Sequence, residues 1–485
     1  MPATAVWDNR LLAGKADGRM ELKGKKVLVV GLGKSGRAAA LFLRRRGAQV
    51  TVSDIRSAEA LGKELPALLE EGIAVETGGH GLLTFRRQDL IVVSPGVPLS
   101  TPELQQVRNL GLPILGEVEL AAQFLKTKIL AITGSNGKTT TTTLCGEVLK
   151  AGGLETQVGG NIGVPVIELV ETPQNLSQHA KDSWSVLEIS SFQLETARLF
   201  RPKISIILNI TPDHLDRHGT FENYAMAKER IFGAQTPDDF LVLNGDDPRV
   251  QQAAGRARSQ VFWFSRSKMV RQGTAVVNGA IAFRANEQAS FEPVLPVSDI
   301  PLKGEHNVEN VLAAVCAARL AGVSNAAIAK AVQDFRAVEH RLEFVADISG
   351  VLYYNDSKAT NVDATLKAIA AFPKGIHLIL GGKDKNSDYT ALRPLLQERV
   401  TAVYTIGAAA EKIEREIDGA TRIVPAKTLA AAVDAASSAA VPGDVVLLAP
   451  ACSSFDQFES YEHRGRIFKE LVLALQFAGD SRRGS

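Results

Sequence analysis

Short apolar runs recur along the chain, and most end in glycine or a small polar residue: KVLVVGLG, DLIVVSPG, KILAITGS, VLEISS, ISIILNIT, HLILGG, AVYTIG and VVLLAPA. The runs are continuous rather than alternating. A strand that is apolar on both faces must be covered on both faces, so these runs predict inner strands of parallel sheets. Between them lie alanine-rich segments with helical spacing, at residues 35–46, 139–151, 308–321 and 364–371. Strand–helix alternation of this kind predicts α/β units. Ligands of such sheets sit beyond the carboxyl ends of the strands, so the polar residues that close the runs are where chemistry is expected.

The pattern divides the chain into a flexible N-terminal extension (residues 1–20), a first Rossmann-like block (21–118), a central block (119–337) and a third block (338–485). Within the central block, residues 268–302 carry shorter, more polar, glycine-punctuated runs, which predict a small antiparallel patch. The third block holds four or five strands by the same reading. The stretch ETPQNLSQHAKDSW (171–184) reads as a surface insertion.

Length and charge narrow the possibilities. A chain of 485 residues is too long for one core. Its 55 Lys and Arg balance 53 Asp and Glu, and no basic block is interleaved with aromatics, so nucleic acid is not expected as a partner. Cys145, Cys316 and Cys452 are far apart and form no C-x-x-C pair. A disulfide framework and structural zinc are therefore not expected, and a reducing compartment fits. The first residues lack the apolar core of a signal peptide, and no run is long enough to span a bilayer. A cytoplasmic protein without membrane insertion is the expectation.

Two loops compete for a nucleotide. GLGKSG (31–36) has the spacing of a dinucleotide fingerprint: Gly31 for a tight turn, Gly33 for close backbone approach, Gly36 for helix–strand packing. Asp54 closes the next strand, where an acid could bind a ribose hydroxyl. NAD fits this constellation, and so does another nucleotide diphosphate. AITGSNGKTTTT (131–142) matches the end of a P-loop at Gly137, Lys138 and Thr139, but Ile132 stands where the pattern has its first glycine. It follows an apolar strand and opens a helix, as a phosphate loop requires. Amides of Gly134 to Thr139 can cradle phosphates, Lys138 can neutralise their oxygens, and the Thr139 hydroxyl can ligate Mg²⁺.

Metal partners for that loop are expected at strand ends. Glu188 is an isolated acid in VLEISS, and a buried unpaired carboxylate is costly, so it pairs with a cation or faces a metal. LNITPDHLDRHG closes another strand with Asp213, His214, Asp216 and His218. Lys228 in YAMAKERIF is, by pattern alone, a solvated lysine.

TGSNGKTT, GGNIG, LEISSFQLE, NITPDHLDRHG, YAMAKERIF, GEHNVENVLAA, EHRLE, NDSKATN, LGGKDKNSD and PACSSFDQF occur in that order. Together they resemble the Mur ligase family over nearly the whole chain from about Lys23. The third-block motifs resemble its D-glutamate-adding branch. The resemblance implies three α/β domains, with a central P-loop ATPase-like domain between two Rossmann-like ones, and a monomer. It implies an ATP-dependent amide ligase acting on UDP-N-acetylmuramoyl-L-alanine and D-glutamate through an acyl phosphate, with two Mg²⁺ ions. ATP would be held by Gly134, Ser135, Asn136, Gly137, Lys138, Thr139 and Thr140, with Asn307 and Asn310 on the adenosine side, Arg341 at phosphate and Asp356 at the ribose. Thr139, Glu188, His214 and a carbamylated Lys228 would be metal ligands. His340 and Lys358 would line the same interdomain site, completing a catalytic set with Lys138, His214 and Lys228. Lys34, Ser35, Asp54, Arg56, Gly96, Asn161 and His214 would serve the UDP-sugar. Thr360, Lys385, Ser454, Phe455 and Tyr461 would form the D-glutamate pocket. Rival readings are another Mur-type or folate polyglutamate amide ligase, an NAD-dependent dehydrogenase built on GLGKSG, and a non-catalytic nucleotide-binding protein.

Overall fold

The computed structural model describes residues 20–62, 64–336 and 338–483, with side chains to residue 475. The predicted N-terminal extension lies outside the described residues except Met20, whose side chain is buried in the first core. Three sheets follow in chain order.

The first sheet is wholly parallel, in the spatial order Ala74–Thr77, Gln49–Asp54, Lys26–Val30, Leu90–Val93 and Ile114–Gly116. Lys26–Val30 lies at its centre, where the strand order reverses, so the loop after Val30 opens into the ligand crevice. That loop is GLGKSG. Gly31 has φ +88°, and a Cβ on Gly36 would lie 1.9 Å from the Gly31 carbonyl oxygen and 2.4 Å from Ser94 Oγ. The helix Lys34–Arg45 can approach the strand only because residue 36 has no side chain.

The central sheet has nine strands, and its edge strands Gly273–Val277, Ala280–Arg284 and Glu292–Pro296 form the predicted antiparallel patch. Gly273–Val277 pairs in parallel with Gln260–Ser265, so the patch extends the main sheet instead of standing apart. Lys128–Thr133 runs between Trp184–Glu188 and Ile204–Ile207, which brings the P-loop, Glu188 and the LNIT segment to one sheet edge.

The third sheet has six strands, not four or five: Glu343–Ile348, Val351–Asn355, Val445–Leu448, Ile376–Gly381, Val400–Ile406 and Arg422–Lys427 in spatial order. The extra strands are the two edges. Each is half-exposed with interspersed charge, so neither makes the continuous apolar run that marks an inner strand. Only Glu343–Ile348 pairs antiparallel with its neighbour.

The first and central sheets share one continuous core. It runs from Val29 and Phe42 through Phe124 to Ile167 and Leu187. Buried Glu119 reinforces the seam by accepting the amides of Arg198, Leu199 and Phe200 at 3.0, 2.7 and 3.1 Å. Asn175, inside the stretch read as a surface insertion, is buried and binds the Val170 and Phe124 carbonyls and the Lys126 amide at 2.8, 3.3 and 2.6 Å. That stretch therefore pins the linker between the two domains; its polar composition concealed an asparagine that satisfies backbone groups. The third sheet has its own core on both faces, with no residue from the other two sheets. Among the described residues, no helix is long and apolar enough to cross a membrane.

Replacing Gly36 with alanine should destabilise the protein by about 1–3 kcal/mol, because neither backbone oxygen nor Ser94 can move without separating helix from strand. A urea titration with an unchanged midpoint would refute the close packing.

Candidate active site

The P-loop joins Lys128–Thr133 to the helix Lys138–Ala151. Gly137 caps the helix with φ +84°, and a Cβ there would lie 2.2 Å from Asn310 Oδ1. Asn310 thus packs against the loop itself; its amide donates to Asn307 Oδ1 at 2.9 Å. Two of the six loop amides are already used, since those of Ser135 and Asn136 donate to the backbone and side-chain oxygens of Asn209. The first-turn amides of the helix have no intrahelical acceptor and keep their capacity for an anion. Lys138 folds over the loop, its ammonium donating to the Gly134 and Ser135 carbonyls at 2.8 Å each.

Glu188 ends its strand fully buried beneath this loop. Burial alone would raise its pKa. Lys138, the Asn161 amide, Arg341 and Lys358 outweigh that effect and hold the carboxylate ionised. One oxygen accepts from Thr139 Oγ1 at 2.7 Å and the other from Asn161 Nδ2 at 2.7 Å. Lys228 is not a solvated lysine. It is buried, donates to the Gly134 carbonyl at 2.7 Å, and lies 4.5 Å from the Tyr224 ring centroid. Burial and the nearby Lys138 push its pKa well down. His214 has φ +53°, its ring lying edge-on to Phe192 at 4.8 Å. Burial lowers its pKa to about 4 despite Asp213 alongside, so the imidazole is neutral at pH 7.

The third domain closes the cleft. Arg341 donates to Thr139 Oγ1 at 2.6 Å, and Asn361 donates to Asp213 at 3.0 Å. Asp363 accepts from Asn136 and from Thr211, and Lys385 lies 3.7 Å from Asp213. The cleft, about 370 Å³, is lined by Lys138, Glu188, His214, Lys228, Arg341, Lys358, Thr360, Lys385 and Phe455 among others. A neighbouring cavity of about 60 Å³ is lined by Gly137, Thr140, His306, Asn307, Asn310, Asp356 and Lys367. Asn136, Arg341 and Lys358 line both. Burial raises the pKa of Asp356 to about 7 and lowers that of Lys358 to about 7.

A third cleft, about 610 Å³, opens at GLGKSG and is lined by Lys34, Ser35, Asp54, Arg56, Gly96 and Asn161. Asn161 faces this cleft and the one holding Glu188. Asp54 does not offer the free carboxylate that an NAD ribose needs. Its oxygens take the Leu32 amide at 2.6 Å and the Arg56 guanidinium at 3.0 Å, so it orients Arg56 instead.

Five residues expected in the site line none of these clefts: Gly134 and Thr139 belong to the P-loop just behind the wall, and His340, Ser454 and Tyr461 lie in the third domain. His340 is buried in the third domain, held by Asn355 at 2.9 Å and packed on Gly465. Its neighbours Glu339 and Glu343 are both paired with Lys469, at 2.9 and 2.7 Å. Ser454 is buried, and its carbonyl accepts the amides of Gln457 and Phe458. Tyr461 lies beneath Lys358, whose ammonium is 3.6 Å from the ring centroid. Conversely, Asn209, Asn361, Asp363 and His306 belong to the cleft walls or their supports, and residue patterns did not single them out. Asn209, Asn361 and His306 lie inside the motifs and Asp363 just beyond one, and partners far away in sequence distinguish Asn209, Asn361 and Asp363.

Three α/β domains thus enclose a phosphate loop in a cleft lined by cations and by a buried carboxylate. Models of this family match each domain: the Mur ligase MurD-like N-terminal domain over residues 25–116, the Mur ligase middle domain over 132–318, and the Mur ligase glutamate ligase domain over 340–452. The chain belongs to the Mur ligase family. It is 73% identical over 455 residues to the UDP-N-acetylmuramoylalanine–D-glutamate ligase of Acidobacterium capsulatum, covering 94% of this chain and 97% of that one. It is 61% identical to the ligase of the same name from Koribacter versatilis, covering 94% and 99%. Among solved structures, it is similar in fold to a pseudomurein peptide ligase type C from Methanothermus fervidus. The TM-score there is 0.57 at 20% identity, with 93% and 100% covered.

His306 supplies a test of the cavity. Burial lowers its pKa from 6.5 to about 4, with Lys367 and Arg341 adding to the effect. The unfolded chain takes up this proton first, so stability is present above about pH 6.5 and falls as pH drops towards 4. Denaturant titrations across that range should give a shallower pH dependence for His306→Gln than for the wild type. Parallel curves would mean that the imidazole is not held neutral.

Proposed function

We propose that the protein is an ATP-dependent ligase that joins D-glutamate to UDP-N-acetylmuramoyl-L-alanine, an amide-forming step of peptidoglycan precursor synthesis. The observation that carries this reading is the meeting of Lys138, the Thr139–Glu188 pair and Arg341 of the third domain in one cleft, which shares Asn161 with the cleft at GLGKSG. ATP sits on the P-loop with its base towards Asn307 and Asn310. The UDP-sugar lies along the first domain. D-glutamate enters from the side of Thr360, Lys385 and Phe455.

A carboxylate is a poor acyl donor at neutral pH because oxide is a poor leaving group. Transfer of the γ-phosphoryl to the alanyl carboxylate breaks the P–O bond to ADP and leaves an acyl phosphate. The glutamate amine attacks that carbonyl, phosphate departs, and the amine gives up a proton. Negative charge builds in both steps, so Lys138, Arg341 and Lys358 act as preorganised countercharges. Lys385 meets a carboxylate of the amino acid.

Glu188, His214 and Lys228 line one cleft with Thr139 bonded to Glu188, and the hydroxyl, the carboxylate and the neutral imidazole are donors that would hold Mg²⁺, two ions being the number proposed once Lys228 is included. Bound there, Mg²⁺ neutralises phosphate charge. An ammonium at Lys228 would oppose that binding. Burial and Lys138 favour its neutral amine, which adds to CO₂ through a new N–C bond, releases one proton and becomes a carbamate. The third domain touches the P-loop side through hydrogen bonds and ion pairs, so it parts to admit ATP and closes on it.

Phosphate release from ATP in the presence of UDP-N-acetylmuramoyl-L-alanine should require D-glutamate and fail with L-glutamate, L-lysine or meso-diaminopimelate. Release with one of the others would move the specificity to a relative, and no release with any would sink the ligase reading. Lys228→Ala should lower kcat by roughly 10²–10³-fold. Added acetate should restore part of it; full activity without acetate would reject the carbamate.

A further inference from the structure

Arg217 stands three residues after His214, on the one-turn helix Leu215–His218 of the central domain. Its guanidinium crosses to the first domain, donating to the carbonyls of Pro95, Gly96 and Val97 at 3.4, 3.4 and 2.9 Å. That segment forms a wall of the cleft at GLGKSG. The same guanidinium is held by Glu195, through Nε at 3.1 Å and an N–H of the terminal nitrogen at 2.7 Å. It also lies over the Phe192 ring, 5.1 Å from the centroid, and Phe192 is the ring that His214 meets edge-on. The pair is largely shielded from water, with side-chain exposures of 14% and 16%. One planar fork therefore links three backbone carbonyls of one domain to the residues that seat His214 in the next. A lysine, with a single compact ammonium, cannot reproduce that geometry.

We infer that Arg217 is a positioning residue for the UDP-sugar: it fixes the 95–97 wall of the first-domain cleft in register with the His214 loop. The inference rests on the ligase reading, because it takes that cleft as the sugar-nucleotide site. Arg217 touches neither reacting group; it acts through the wall it holds. Glu195 is its anchor, so the two residues form one coupled unit.

The test is titration calorimetry of UDP-N-acetylmuramoyl-L-alanine and, separately, of ATP, with wild type, Arg217→Met, Arg217→Lys, Glu195→Gln and the Arg217→Met/Glu195→Gln double variant. Urea midpoints are measured alongside. Arg217→Met should weaken sugar-nucleotide binding about 10-fold or more and leave ATP binding within about twofold. Arg217→Lys should recover only part of the loss. The double variant should bind no more weakly than Arg217→Met alone, because the anchor has nothing left to hold. Unchanged sugar-nucleotide affinity in a folded Arg217→Met protein overturns the inference. So does equal weakening of both ligands together with a lowered urea midpoint in both Arg217 variants, which would make the residue a general structural tie. Failure of the wild type to bind the sugar nucleotide overturns the ligase reading itself, independently of the variants.

Discussion

Charge imbalance in the central cleft is the constraint around which the structure is arranged. Lys138, Lys228, Arg341, Lys358 and Lys385 face Glu188 and Asp213, in a space largely withdrawn from water. Like charges so placed must shed protons or acquire anions. Both responses are present. Burial drives Lys228 well below its ordinary pKa and Lys358 to about 7, while the two carboxylates stay ionised in spite of burial. The positive excess that remains is matched by ligands rich in phosphate and carboxylate. The P-loop, the buried end of Trp184–Glu188 and the loops of the third domain all converge there.

The inner architecture was legible in the sequence because it is local. Strands covered on both faces must be continuously apolar, and helices between them must carry their own spacing, so each inner strand announces itself. GSNGKTT and the lone acid of VLEISS could be read the same way. Edge strands such as Glu343–Ile348 and Arg422–Lys427 could not, since one side of each meets solvent and the apolar run breaks up. Partnerships across domains were likewise hidden. Thr139 meets Arg341 across 202 positions and Asn136 meets Asp363 across 227. Lys228 is the clearest case: nothing near it in YAMAKERIF signals burial, and only family resemblance gave it a role. The same resemblance also placed His340 at the cleft, where packing against Gly465 keeps it away.

The seams between domains differ in kind. First and central sheets are joined by a shared apolar core, with Glu119 and Asn175 satisfying backbone groups along the join. The third sheet keeps both of its cores to itself and reaches across at the cleft through hydrogen bonds and ion pairs, with Val338 the residue of its block that packs on the central core. Separating the first seam exposes oil to water. Separating the second exchanges hydrogen bonds with protein for hydrogen bonds with water, which costs far less.

By its cores, then, the chain is two bodies and not three. That distinction matters to anyone designing an inhibitor. A rigid molecule laid across the first and central domains meets a wall already in place, and little of its binding free energy goes into assembling the receptor. If the third domain parts and closes as proposed, one that extends to Lys385 and Thr360 must also capture that domain, and its observed affinity falls by the fraction of time the domain spends elsewhere. Potency gained by growing a compound into the third domain is therefore discounted, whereas potency gained along the fused pair is kept in full.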